Sequence, residues 1–196
     1  MKKRKILEYL KNKKGAVEVI HSAVLMICVI TIFVFFIDIL FFTRSYIAMS
    51  NYVDGIARTI SIHGGLQTSP PTNFPGGSSL YFTSSKIKSN TEAMCKKYNI
   101  NDKEINMYIK RKKYSATTNP STKYVYVINY DNQLKPSETS AQKVSSLKID
   151  YGETITVSLQ YKFKWTLTGL KANITINRDA ISDFKHIDSD NTWEEM

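Results

Sequence analysis

The sequence is poor in the residues that usually announce chemistry. Of its 196 residues only two are cysteine and three are histidine. Cys28 lies inside a long apolar run and Cys95 outside it, so the two are not expected to meet and no intramolecular disulfide is expected. Cys95 reads as an exposed or half-buried thiol. His21, His63 and His186 are widely separated, and no Cys/His pair has metal-ligand spacing. There is no nucleophile elbow and no glycine-rich phosphate loop. Asp188-Ser-Asp190-Asn with Glu194 has the acids of a calcium loop but lacks its glycine, and Glu194 comes too early; a solvated acidic tail is expected there. These absences argue against an enzyme and imply no cofactor and no metal.

Acids are scarce at one end and cations at the other. Met1–Lys14 holds seven cations (Lys2, Lys3, Arg4, Lys5, Lys11, Lys13, Lys14) against Glu8 alone. Arg178–Met196 holds two cations against six acids. The formal charge of +10 is therefore partly a topology signal and partly a basic middle, and no nucleic-acid partner is expected.

What the chain does have is a long apolar stretch. Val19–Phe42 reads VIHSAVLMICVITIFVFFIDILFF, interrupted by charge only at Asp38. As a helix these 24 residues extend about 36 Å, more than a hydrocarbon core of about 30 Å. Cations crowd its left flank, while Arg44 alone follows closely on the right. That asymmetry predicts a cytoplasmic N-terminus and a head on the other side of the cytoplasmic membrane. Two readings compete. A buried helix of a soluble domain does not explain the length and the basic flank. A cleaved secretory signal has a shorter apolar region, and its best cleavage candidate here, Ala48-Met-Ser50, is poor. His21 and Ser22 are expected near the inner headgroups, and Asp38 near the outer ones or facing another helix.

The string Lys13-Lys14-Gly15-Ala16-Val17-Glu18 ends a basic leader at a glycine and sets an acid at the mouth of the apolar helix. Here the sequence resembles the TadE-like pseudopilins of tight-adherence pilus and secretion systems. The resemblance implies Gly15 as a leader-peptidase site, Ala16 as the new first residue, and Glu18 as an acid that pairs within the membrane with a neighbour's amine. An ionised carboxylate in lipid is costly unless so paired. The family usually carries its acid at the fifth position after the cut, whereas Glu18 stands at the third, which leaves open an altered, absent or displaced cut. A second reading makes Glu18 an interfacial acid favoured by the helix dipole.

Beyond the membrane stretch, Tyr46, Met49, Val53, Ile56 and Ile60 recur at steps of three and four, the stripe of an amphipathic helix. Asp54 and Arg58 form an i,i+4 pair, and Gly64-Gly65 stops the helix. One helix from about Val17 to about His63 is predicted. Leu66–Ser79 reads as a loop from its three prolines and two glycines. Ser89-Asn-Thr-Glu92 fits a capping box and predicts a short helix over Asn90–Tyr98. Alternation at Ile105, Met107 and Ile109 predicts a strand, and Tyr124–Tyr130 another, with Arg111–Thr122 a polar connection between them. Thr154–Trp165 alternates strictly, with Ile155, Val157, Leu159, Tyr161, Phe163 and Trp165 on one face. Leu170, Ala172, Ile174 and Ile176 repeat the pattern after Thr168-Gly169, which predicts a hairpin. Asn173-Ile-Thr175 fits a glycosylation sequon, relevant only in a glycosylating host. Lys110-Arg-Lys-Lys113 is the one dense basic run of the head, suited to an anionic wall polymer, to headgroups or to another subunit's acidic tail.

The expected fold is α+β: a long N-terminal transmembrane and juxtamembrane helix, then a small antiparallel β-sheet head packed on the helix's outer half, a pilin-like lollipop. The expected divisions are a leader (1–15), a stem helix (16–63), a β-rich head (64–177) and an acidic tail (178–196). The expected function is that of a structural single-pass subunit, minor and pseudopilin-like, partnered by other pilin-like subunits or membrane assembly proteins and by the lipid bilayer. The alternative is a membrane-anchored binding module of the cell envelope with no assembly role.

Overall fold

The computed structural model describes residues 13–70, 78–98, 100–113, 121–130 and 141–183. The layout is α+β, a long N-terminal helix followed by β-strands. It divides into two compact units. One holds Met1–Arg44 with Lys164–Leu170, and the other holds Ser45–Phe163 with Lys171–Met196.

Helix α1 spans Lys13–His63. Its stretch from Val17 onward is long and apolar enough to cross a membrane, and almost none of its most apolar window is buried. Phe33 is 68% exposed and Leu40 70%. The helix ends where expected, at Gly64 (φ 63°) and Gly65 (φ 145°), conformations that side chains with a Cβ disfavour. Gly65 has a second constraint: a Cβ there would stand 2.2 Å from the Leu147 carbonyl oxygen. That close approach comes from β1 (Gly65–Leu66), which pairs antiparallel with β5 (Leu147–Lys148). The loop read over Leu66–Ser79 thus begins as a short strand, and its residues 71–77 lie outside the described set.

In the second unit, Met49, Val53, Ala57 and Ile60 of α1 are fully buried, with Ile56 nearly so. They join Ile105, Met107, Ile109, Ile155, Val157, Leu159 and Tyr161 in one core. The predicted stripe is corrected at one end: Tyr46 is 38% exposed and stays outside the buried core, and the small Ala57 takes a core place. Asp54 and Arg58 pair at 3.0 Å.

Helix α2 spans Ser84–Lys97, six residues earlier than the capping box implied. Its cap is Thr83, whose hydroxyl accepts the Lys86 N–H at 3.3 Å. Ser89 and Glu92 therefore lie inside the helix, and Glu92 instead accepts the Tyr130 hydroxyl at 2.7 Å. Ile87, Thr91 and Cys95 form the buried stripe, spaced four apart on one face. Cys95 is thus a fully buried thiol, not an exposed or half-buried one, and both cysteines are free.

The five-stranded sheet has the order β4-β3-β2-β6-β7. Its strands are β2 (Ile105–Lys113), β3 (Ser121–Asn129), β4 (Gln142–Lys143), β6 (Thr154–Lys164) and β7 (Lys171–Ile181). β2 pairs antiparallel with both β3 and β6, while β4 runs parallel to β3. The register of β2 on β3 shifts between Met107, opposite Ile128, and Tyr108, opposite Tyr126. Val127 is the extra residue of this bulge, which explains why β3 shows no clean alternation in sequence. The ends of the supposed polar connection, Arg111–Lys113 and Ser121–Thr122, are strand, and residues 114–120 lie outside the described set. β7 runs to Ile181, so the boundary drawn before Arg178 falls inside a strand, and Arg178 donates to the Ser50 hydroxyl. The leader's first twelve residues and 184–196, including the Asp188–Glu194 segment, lie outside the described set.

Candidate functional site

The residues singled out at the start of α1 occupy its first two turns. The Gly15–Ala16 peptide lies within the helix, which begins at Lys13. No acid falls in the first turn, and Glu18 is the sixth helical residue. Glu18 is exposed and has no ion-pair partner among the described residues. His21 and Cys28 are exposed on the same helix.

Asp38 differs. It is 2% exposed on a stretch of helix that is otherwise mostly exposed. Its Oδ2 accepts the Thr166 N–H at 3.0 Å and the Leu167 N–H at 3.3 Å. The Thr166 hydroxyl stands at the same carboxylate. These donors belong to the tip of the β6–β7 hairpin, which is built as one helical turn. Gly169 N–H donates to the Trp165 carbonyl at 2.9 Å, and Trp165 N–H to the Leu170 carbonyl at 2.9 Å. A turn of this kind leaves its first N–H groups pointing outward without partners. Asp38 fills that vacancy as a capping side chain would, from 128 residues away. Gly169 (φ 66°) closes the turn in the left-handed conformation. Phe42, one helical turn beyond Asp38, stacks on Trp165 with centroids 5.8 Å apart.

The basic run Lys110–Lys113 splits in the sheet. Arg111 follows Met107 and Ile109 on the inward face and is mostly buried. Its Nη1 donates to the Lys148 carbonyl at 2.6 Å and lies 3.5 Å from Glu153 Oε2. Glu153 in turn accepts the Asp150 N–H at 3.0 Å. This pair is a structural tie between β2 and the loop before β6. Lys110 and Lys112 take the opposite face with Tyr108, whose ring meets Tyr124 and Tyr126 edge-on at 6.3 Å each. Lys143 of β4 lies 5.4 Å from the Tyr126 ring centre. Burial, then the neighbouring Tyr124, raises the Tyr126 phenol above its ordinary range, so it is a neutral hydrogen-bonding group.

At the end of α1, His63 stacks on Tyr81 at 5.4 Å, and its Nδ1 accepts the Phe82 N–H at 3.4 Å. Burial, then the nearby Lys86 charge, holds its pKa below the usual 6.5. Among the described residues no three His, Cys, Asp or Glu side chains gather as a metal site.

No family model, curated protein or solved structure matches the chain. The arrangement can satisfy one acid with backbone donors, hold a second acid bare on an apolar helix, and present a tyrosine and lysine face.

Proposed function

We propose that this chain is a single-pass protein of the cytoplasmic membrane with a structural role: a minor, pseudopilin-like subunit of a tight-adherence-type pilus or secretion assembly. The observation that carries the reading is Gly15-Ala16-Val17-Glu18 at the head of a helix whose first half is apolar and bare and whose second half is core. Such a helix has lipid or a neighbour's helix as its natural surroundings. The bare Glu18 needs a positive partner there, either a processed neighbour's amine or a basic residue of an assembly protein. The N-terminus is inside and the head outside, by the cation asymmetry around the helix. In this reading the chain is not an enzyme, carries no cofactor and binds no nucleic acid.

The test is the N-terminus and topology of protein taken from its native host. Mass spectrometry should find a first residue at Ala16, and protease added to intact protoplasts should digest the head. An intact Met1 end favours a plain anchor, and a protected head contradicts the whole reading. The second reading, an envelope binding module, is favoured by the half-buried Tyr124 and Tyr126 with exposed Lys143, which suit an anionic polymer. Glycan or wall-polymer binding by the head, without partner subunits, would support it.

A further inference from the structure

We propose that the tip of the β6–β7 hairpin, Trp165–Leu170, is a second lipid-contacting element, seated in the same leaflet that holds Asp38–Phe42. The inference rests on the membrane reading of α1. It starts from a length problem. The stretch between the charges of Glu18 and Asp38, Val19–Ile37, has 19 residues, with His21 and Ser22 at its inner end, and as a helix covers about 28 Å, just short of a hydrocarbon core of about 30 Å. Extending it through Ile39–Phe42 supplies the missing length but draws Asp38 about 6 Å below the end of the apolar stretch. The hairpin tip resolves this. It gives the Asp38 carboxylate two backbone donors and covers it, so the acid enters the leaflet already hydrogen-bonded.

The tip is suited to the same depth. Of the six tip N–H groups, those of Trp165, Thr166, Leu167, Gly169 and Leu170 are bonded within the chain, the last to the Thr168 hydroxyl at 3.3 Å, while the Thr168 N–H has no partner among the described residues and is left to interfacial water. Backbone deeper in lipid must be bonded within the chain throughout. The carbonyls of Thr166–Gly169 accept no bond among the described residues, which sets the tip at the boundary of headgroups and acyl chains, where water still reaches them. The side chains agree. Leu167 is 48% exposed and Leu170 67%, with Trp165 between the tip and Phe42. Lys164 and Arg44 are exposed beside them. Apolar side chains below, an aromatic at the boundary and cations above form an interfacial anchor. The Thr43 hydroxyl, which donates to the Ile39 carbonyl at 2.8 Å, hides another polar group at this level.

The test uses full-length protein in vesicles of phosphatidylethanolamine and phosphatidylglycerol. An environment-sensitive fluorophore is attached at Leu167→Cys in a Cys28→Ala background, at native Cys28, and at Tyr151→Cys as a water-facing reference; Cys95 is buried and stays in place. Leu170→Cys provides an independent probe if Leu167→Cys disturbs the turn. The proposal expects blue-shifted emission at the tip, quenched by lipid spin-labelled near the headgroup and spared by aqueous iodide. Iodide quenching at the tip while Cys28 remains lipid-quenched overturns the proposal and leaves the membrane span standing. Iodide quenching at Cys28 removes the span and the proposal together. A tip screened from both quenchers is covered by protein, and that too overturns the lipid assignment.

Discussion

The two halves of α1 use similar aliphatic and aromatic side chains in different surroundings. From Val17 to Phe41 nearly every large apolar residue is bare, around the whole circumference. From Met49 to Ile60 the apolar residues are confined to one stripe, and that stripe is sealed in a core. The acids divide the same way. Asp54 on the second half has an ordinary surface partner in Arg58, while Glu18 on the first half has none among the described residues. A hydrophobic stripe with a wet back describes a helix lying on a protein. Apolar residues all round, left bare, describe one whose solvent is lipid. Asp38 is the exception on the first half, and the chain deals with it by bringing a turn's backbone donors to it.

The largest expected effect breaks the second half and spares the first. Ile60→Ala should lower the unfolding free energy by about 2–5 kcal/mol, through lost burial and the cavity it leaves. Phe33→Ala, on the bare half, should leave head stability unchanged in the same detergent. Denaturant titration of the purified full chain, followed by tyrosine fluorescence, checks the pair. Equal losses would erase the distinction between the halves.

Asp38→Ala should come next. It leaves the Thr166 and Leu167 N–H groups without their acceptor, a cost of about 1–3 kcal/mol local to the hairpin tip. Amide hydrogen exchange at those two residues should accelerate, while exchange in β2 and β3 stays slow. Unchanged exchange at the tip would mean that Asp38 does not hold it.

These elements were unequally legible in the sequence. The helix, its glycine stop, the β6 alternation and the hairpin at Thr168-Gly169 each follow from periods and turn residues within a short window. Helix α2 was misplaced because Ser89 and Glu92 satisfy the spacing of a capping box, while Thr83, the true cap, sits before a polar first turn with no periodicity to mark it. Lys110–Lys113 reads as one basic run, and only strand alternation turns Arg111 inward to Glu153. The Asp38 site was illegible because its donors are backbone N–H groups, which no residue type encodes, and because they lie 128 and 129 residues away.

A smaller effect follows from pH. His63 has its folded pKa held below 6.5, so the unfolded chain takes up a proton that the folded chain resists. The neutral ring's contribution is therefore fully present above pH 6.5 and is lost as pH falls through the lowered folded value. Protonation would also remove the Nδ1 acceptor from the Phe82 N–H. Thermal midpoints at descending pH should show a loss that begins near pH 6.5, and His63→Gln should flatten it. The same slope in the variant would assign the effect elsewhere.

The smallest effect on stability belongs to Glu18→Gln, within about 0.5 kcal/mol because the site is exposed and outside the core. Its consequence should appear only in association. Partner recovery by cross-linking at matched membrane levels should fall, while insertion persists because an intramembrane charge has been removed. Undiminished recovery would take Glu18 off the list of functional residues.

The most direct test of the account asks what surrounds Cys28, a bare thiol midway along the apolar half of α1. Membranes from expressing cells are treated with a water-soluble maleimide, with Tyr151→Cys as the accessible reference and buried Cys95 as the internal one. The account predicts no labelling at Cys28 in intact or permeabilised membranes, and full labelling once the bilayer is dissolved in denaturing detergent. Labelling of Cys28 from water in intact or permeabilised membranes, at the rate of Tyr151→Cys, would contradict the membrane span on which the rest depends.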